Sequence, residues 1–556
     1  MAVANRTPSR KEERTTAAAA TSREVPDVSS GALYASPHTL SDLLHHGAAR
    51  WGDRVAVADP TGERRITYRE LDALVTDLAA RLNHHGVSQG DTIAIVSDNC
   101  LEFAAALFAV VEAGAAAAPL NPELPTPQLV SRLQLLQAAA TIVPAHAHDD
   151  FVSAHGVEAG AVWKLNLAAE KDQPPWAEPG RRQAPPDMSP DTALPKLGLP
   201  RSDQVALVLM TSGTTSAPKV VPLTHANVLA SIEGIRSVYR LDPEDATVLV
   251  MPLHHGHGLI AGLLATLASG GAAYMPSGGR FHAGTFWPDM AGAGATWFTA
   301  VPTIHQILLE RTGGDRPTGG FPALRFIRSC SAALAPAVLR DLEATFGAPV
   351  LPAYGMTEAA HQVSSNPLPS DGPDKAASVG LPTGVEIRVT AADGGRAATG
   401  TTGEVWIRGQ AVTSGYIHDG AANAASFTDG WFHTGDLGHQ DAEGYLFLTG
   451  RIKDLINRGG EKISPTAVDD VLLSHPAVED ALSFGVPDDK YGEDIEAAVV
   501  LRQARTATED ELKGFARSQL SAFEVPARIF FLADLPRTDK GAGDRRRLAA
   551  QLGRAD

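Results

Sequence analysis

The chain has 556 residues, room for one large domain and a small one or for several of ordinary size. With 44% hydrophobic and 20% charged residues it can bury a large core, which excludes global disorder. A formal net charge of −17 argues against broad binding to nucleic acid or to an anionic membrane surface. Two cysteines, Cys100 and Cys330, exclude a disulfide framework and a cysteine-based structural zinc site, and point to a reducing, cytoplasmic compartment.

Residues 1–30 are rich in Ala, Thr, Ser and Arg, lack a long apolar run and carry Glu12, Glu13, Glu24 and Asp27. The expectation is a disordered tail, neither secretory signal nor transit peptide. Residues 55–59 and 65–67 read as a hairpin around Thr61 and Gly62, and Leu71, Leu74, Leu78 and Leu82 predict a helix over 68–85. Residues 92–96 (TIAIV) have the continuous apolar pattern of a buried parallel strand. The run 104–120 is apolar but contains Glu112 and Pro119, so a buried helix is expected there and no integral membrane segment. Eight prolines between 171 and 202 predict a surface excursion or linker. Further strand–helix units at 247–252 and 296–301 argue for a layered α/β architecture. After residue 450, strand-like runs at 481–486, 496–501 and 528–532 and helical runs at 467–473 and 508–520 suffice for a small α+β domain. The expected organisation is a tail over 1–30, a large α/β domain over 31–450 and a small mobile domain over 451–556.

Four segments carry chemistry. Residues 211–219, TSGTTSAPK, follow the apolar run 205–210. Hydroxyls and N–H groups from Thr211, Ser212, Gly213, Thr214 and Thr215 can donate to phosphate oxygens, and Lys219 adds a point charge. The spacing is not that of the GxxxxGK[ST] loop. In YGMTE, Thr357 offers a hydroxyl and Glu358 a hard oxygen suited to Mg²⁺, with helix capping by Thr357 as the alternative. In GWFHTGDLG, Asp436 sits in an expected glycine-bracketed turn, where it accepts ribose hydroxyls or supports its own turn. GRIKDLINRGGEK gathers basic residues around Gly459 and Gly460.

In this order and spacing the segments resemble the superfamily of adenylate-forming enzymes, which comprises acyl-CoA synthetases, peptide-synthetase adenylation domains and luciferases. The resemblance runs from about residue 36 to the end of the chain. The runs MPLHHGHGL, RFIRSCSAALAP, AYGMTEAAHQVSSNPLP and GRIKDLINRGGEKISP are most similar in wording to oxalate–CoA ligase-like acyl-CoA synthetases. The resemblance implies a two-step reaction: a carboxylate attacks the ATP α-phosphate to give an acyl-adenylate and pyrophosphate, and CoA or another nucleophile then displaces AMP. It implies ATP, Mg²⁺ and CoA as cofactor and co-substrates and a small acid or anion as substrate. It places the 211–219 loop on the β and γ phosphates and gives Thr357 and Glu358 to ATP and the metal. Ser331, Ala332, Ala333 and Tyr354 flank the adenine, and Asp436 and Arg451 hold the ribose. Lys453 becomes the hinge, and Gly459 and Gly460 line a thiol tunnel.

The sequence departs from the family at its end. A lysine that reaches the carboxylate and α-phosphate is expected where this chain has Ala542, after Pro536, Arg537, Thr538, Asp539, Lys540 and Gly541. Lys540 substitutes for it, or the alanine is an introduced change, or the natural protein has an altered first half-reaction. The acyl pocket is the second open region. His254, His255 and His257 crowd one loop, and the resemblance gives that loop a gating role in which His255 takes part. Structural hydrogen bonding is the alternative for two of the three histidines. Arg328, Ser329 and His361 are further candidates for holding a small anion, with a structural ion pair as the alternative for Arg328. A pocket lined by His and Arg favours a short, polar acid. Two other functions stay open: adenylation with a non-CoA acceptor, such as an ATP-dependent diazotase using nitrite and an aryl amine, and a nucleotide-binding pseudoenzyme. The sequence leaves the oligomeric state unknown.

Overall fold

The computed structural model describes residues 37–144, 151, 162–165, 176–177, 200–211, 218–373, 375, 377–502, 504–538 and 543–554. The expected tail, most of the proline-rich stretch, Ser212, Gly213, Thr214, Thr215, Lys540 and Ala542 lie outside the described residues.

Among the described residues a seven-stranded sheet runs in the order Trp176–Ala177, Val162–Leu165, Ala140–Pro144, Thr92–Val96, Ala116–Leu120, Val205–Met210, Val220–Thr224. Its middle strands are parallel and its edges antiparallel. A second sheet aligns Trp297–Ala300, Phe326–Ser329 and Val350–Met356 in parallel, followed by the antiparallel strands His361–Ser365 and Leu381–Pro382. Ligands of such sheets bind beyond the carboxyl ends of the parallel strands, and residues 329–331 and 354–361 emerge there. The layered α/β expectation holds.

The hairpin Val55–Ala58 and Arg65–Thr67 forms with Val57 opposite Ile66. The helix Tyr68–His84 follows, with Thr67 and Glu70 making a capping box. The run 104–120 departs from expectation. Leu101–Glu112 is a buried helix, but Gly114 at φ +83° ends it and Ala116–Leu120 becomes a central parallel strand. An apolar run has no period to separate buried helix from buried strand, and the glycine in the left-handed region marks the break. Among the described residues no helix is long and apolar enough to cross a membrane.

After the short turn Ile452–Asp454 the chain builds a sheet of its own from Ile456–Arg458, Glu461–Ile463, Val478–Asp488, Gly492–Leu501 and Arg528–Phe531. The helix Pro465–Leu473 forms as expected, and Leu473 packs against the cluster of Phe286, Trp287 and Phe298. The expected helix over 508–520 is shorter, Glu509–Arg517, because Thr508 stays outside as its cap, accepting from the Glu511 N–H at 3.2 Å.

Candidate functional site

The candidate residues fall in three groups. The first is the group expected at the phosphates. Thr211 follows the strand Val205–Met210, and Lys219 precedes Val220–Thr224. The Thr211 N–H donates to the Lys219 carbonyl at 3.0 Å, and the Lys219 N–H to Thr211 Oγ1 at 3.3 Å, so the feet of the intervening loop are pinned together. Lys219 Nζ lies 4.4 Å from the centre of the Tyr416 ring, a cation–π distance, and the Tyr416 hydroxyl donates to Glu358 Oε1 at 2.9 Å. The Thr413 N–H donates to the Glu358 carbonyl at 2.7 Å. Neither Tyr416 nor Thr413 belongs to a motif singled out above. Thr357 is not a helix cap: it opens the short turn Thr357–Ala359, whose cap position is Met356.

The second group is the one expected at the ribose. Asp436 is not in a turn, as its glycines suggested. It lies within the strand Trp431–Gln440, opposite Arg451 of Leu446–Arg451. Pairing with Gly403–Arg408 jumps from Leu437 to His433, so residues 434–436 bulge out and turn Asp436 inward. Its carboxylate is 2% exposed, with Arg451 Nε 2.6 Å from Oδ1 and the Tyr354 hydroxyl donating to Oδ2. Burial and the Asp436 charge push the Tyr354 phenol well up, so it stays a neutral donor. The charge of Asp436 likewise holds Arg451 protonated.

The third group holds the residues expected at the acid. His257 opens a π-helical segment, His257–Leu264, a geometry frequent at functional sites. His257 Nε2 is 2.6 Å from Thr299 Oγ1 and Nδ1 is 3.0 Å from Ser331 Oγ. Its ring stacks on His361 with centres 5.0 Å apart. Arg328 is fully buried, not at the pocket surface. It donates to the Tyr239 hydroxyl at 2.9 Å, Thr299 Oγ1 at 3.0 Å, His361 Nε2 at 3.0 Å and Gln362 Oε1 at 2.6 Å. Among the described residues no carboxylate pairs with it, so the ion pair weighed from sequence does not form. Buried Ser329 has no hydrogen-bond partner for its hydroxyl among the described residues. Burial, then the Arg328 charge, holds His257 well below the usual imidazole range. Burial, then Arg132, lowers His254 to about 4. The rings of His254 and His255 lie 4.4 Å apart. Ser331, exposed and followed by Ala332 and Ala333, takes φ +74°, while Ala360 and His361 take φ +46° and +83°. Three non-glycine residues in the left-handed region within one site mark backbone strain held by the surrounding packing.

Lys453 lies in the turn Ile452–Asp454. Gly459 and Gly460, at φ +62° and +99°, form the two-residue turn between Ile456–Arg458 and Glu461–Ile463, which only glycine enters without strain at both positions.

Among proteins of known family, residues 44–417 match the model described as AMP-binding enzyme, and residues 467–542 that of the AMP-binding enzyme C-terminal domain. The chain is 46% identical over 523 residues to an oxalate–CoA ligase of Arabidopsis thaliana, covering 92% of this chain and 98% of that protein. It is 35% identical to a sulfoacetate–CoA ligase of Cupriavidus necator, covering 92% and 97%. Its fold is similar to that of o-succinylbenzoate CoA synthetase from Bacillus subtilis in complex with its acyl-adenylate intermediate, with TM-score 0.74, 28% identity and coverage of 91% and 97%.

Proposed function

The chain belongs to the AMP-binding enzyme family, and from that premise we propose that it is an ATP-dependent acid–CoA ligase acting on short, polar acids. It activates the acid as an acyl-adenylate with release of pyrophosphate and passes the acyl group to CoA. The observation that carries the choice of acid is the acyl end itself: Ser331, His257 and His361 stand over a buried guanidinium that no carboxylate among the described residues neutralises. Such a floor attracts an anion and offers little to an alkyl chain. Oxalate and sulfoacetate, named for the two relatives above, are both short acids with two anionic ends.

In this reading Lys219 and the 211–219 loop take the β and γ phosphates. Ala332, Ala333 and Tyr354 border the adenine, Ser331 turns its side chain to the acid, and the Asp436–Arg451 pair holds the ribose. Glu358, a hard oxygen donor beside the Thr357 hydroxyl, fits Mg²⁺, which when bound supplies charge neutralisation on the phosphates. His255 and His254 border the acid, Lys453 is the hinge of a small domain over 451–556, and Gly459 and Gly460 meet the thiol. Free cysteines and nucleotide substrates support a cytoplasmic setting.

Ala542 stands where the family's adenylating lysine is expected, and Lys540 is the nearest cation in the sequence. Pyrophosphate release should be measured over oxalate, sulfoacetate, aryl and long-chain acids, with and without CoA. Short acids alone should support turnover, and CoA should be consumed with them. Ala542→Lys should raise the adenylation rate by about 10²-fold or more, the usual worth of one positioned charge. Turnover confined to long-chain acids would overturn the choice of substrate. Robust turnover unimproved by lysine would assign the role to Lys540.

A further inference from the structure

Arg328 donates but cannot accept, and that fixes the protons around it. Its N–H meets His361 Nε2 at 3.0 Å, so that nitrogen carries the lone pair and the ring proton sits on Nδ1. Another of its N–H groups meets Thr299 Oγ1 at 3.0 Å, filling one lone pair of the hydroxyl. The acceptor the structure gives the Thr299 proton is His257 Nε2 at 2.6 Å. The opposite arrangement leaves a buried hydroxyl proton without that partner, at a cost of about 1–3 kcal/mol. His257 therefore also carries its proton on Nδ1 and donates to Ser331 Oγ at 3.0 Å. With its oxygen so engaged, the exposed Ser331 hydroxyl turns its own proton outward. Ser331 takes φ +74° two residues past the end of Phe326–Ser329.

We propose that Arg328 is a positioning residue acting through Thr299 and His257: it locks both stacked histidines as neutral Nδ1–H donors and so fixes Ser331 as a hydroxyl donor toward an anionic oxygen of the acid. The inference rests on the short-acid ligase reading for what Ser331 meets, but the proton arrangement stands independently of it. The direction of the relay is a consequence of starting from a group that only donates. A carboxylate or amide in place of Arg328 leaves every later hydrogen bond free to reverse.

Two measurements test this on the full chain. Selective ¹⁵N-histidine labelling, with signals assigned by His257→Gln and His361→Gln, should give the Nδ1–H tautomer for both rings near neutral pH. An Nε2–H tautomer at either ring overturns the proposal. Kinetically, Thr299→Val should raise KM for the acid about tenfold with KM for ATP unchanged, and Thr299→Ser, which keeps the hydroxyl, should recover most of that loss. Ser331→Ala should cost a similar factor, and the double variant should lose no more than either single one, because both cut the same relay. Additive losses, equal damage from valine and serine at 299, or KM values for acid and ATP rising together would overturn it. If no short acid supports turnover in the parent chain, the ligase reading fails, and the tautomer spectrum still decides the relay.

Discussion

Glu358 reaches Lys219 through a tyrosine. The Tyr416 ring lies under the ammonium while its hydroxyl donates to the carboxylate at 2.9 Å, so one side chain touches both a cation and an anion. Tyr416→Phe keeps the ring and removes the donor, and it should lower kcat/KM for ATP by about 10- to 100-fold, the worth of one hydrogen bond to a charged group. Glu358→Gln should cost more and raise the Mg²⁺ concentration needed for half-maximal rate. A Phe variant with unchanged ATP and Mg²⁺ dependence would show that the hydroxyl is idle. The motifs made Thr357, Glu358, Asp436 and Arg451 legible in the sequence because each lies in a short run of distinctive residues. Tyr416 and Thr299 were not legible: each is a single ordinary residue, Tyr416 placed beside the Ile417–Val220 bridge and Thr299 by pairing of Trp297–Ala300 with Phe326–Ser329. Arg328 was legible as a candidate, but its burial was not, since a lone Arg in FIRSC reads the same whether it faces a pocket or a core.

The strand Val350–Met356 and its partner His361–Ser365 carry Tyr354 and His361, and they meet at Gly355. A Cβ on Gly355 would stand 1.6 Å from the His361 carbonyl oxygen, with no flexible side chain to yield. Gly355→Ala should therefore cost at least about 4 kcal/mol, in the range kept for steric or buried-polar lesions, or prevent folding. Denaturant melts would read the loss, and a midpoint within error of the parent's would refute the close approach. Elsewhere, element-level reading succeeded where period and punctuation agreed, as in the helix Tyr68–His84 and the strand Thr92–Val96. It failed at 104–120, where uniform apolarity hid a helix–strand junction, and at Asp436, where flanking glycines imitate a turn but make a bulge. In both places the decisive quantity was the register of a neighbouring strand, which a local pattern does not contain.

Contact between the carboxy-terminal sheet and the rest of the fold includes a pair of acids. Glu310 closes the helix Pro302–Glu310, and Glu479 lies in the strand Val478–Asp488. Burial, then the hydrogen bond that protonated Glu310 donates to Glu479 and the charge of Glu479, raises the Glu310 carboxyl from 4.5 to about 7, with Asp480 adding to the rise and Arg502 opposing it. A carboxyl raised in the docked arrangement stabilises that arrangement fully below its free value. The stabilisation fades as pH climbs from 4.5 toward 7, and above 7 two carboxylates face each other. Docking of the sheet should accordingly loosen between about pH 6 and pH 8, in the range where the ligase reaction would run. Hydrogen exchange in the turn Ile452–Asp454 and in the helix Pro465–Leu473, corrected for the intrinsic pH dependence, should be faster at pH 8 than at pH 6. Glu310→Gln cannot ionise and retains a donor for Glu479, so it should hold the slower exchange at both values. Equal corrected exchange at the two pH values in the parent, or an undiminished difference in the Gln variant, would refute the pair as the cause. Because the same contact has to break if the sheet is to rotate between half-reactions, the Gln variant should also slow thioester formation relative to adenylation at pH 8, a split that a purely local role for Glu310 would not produce.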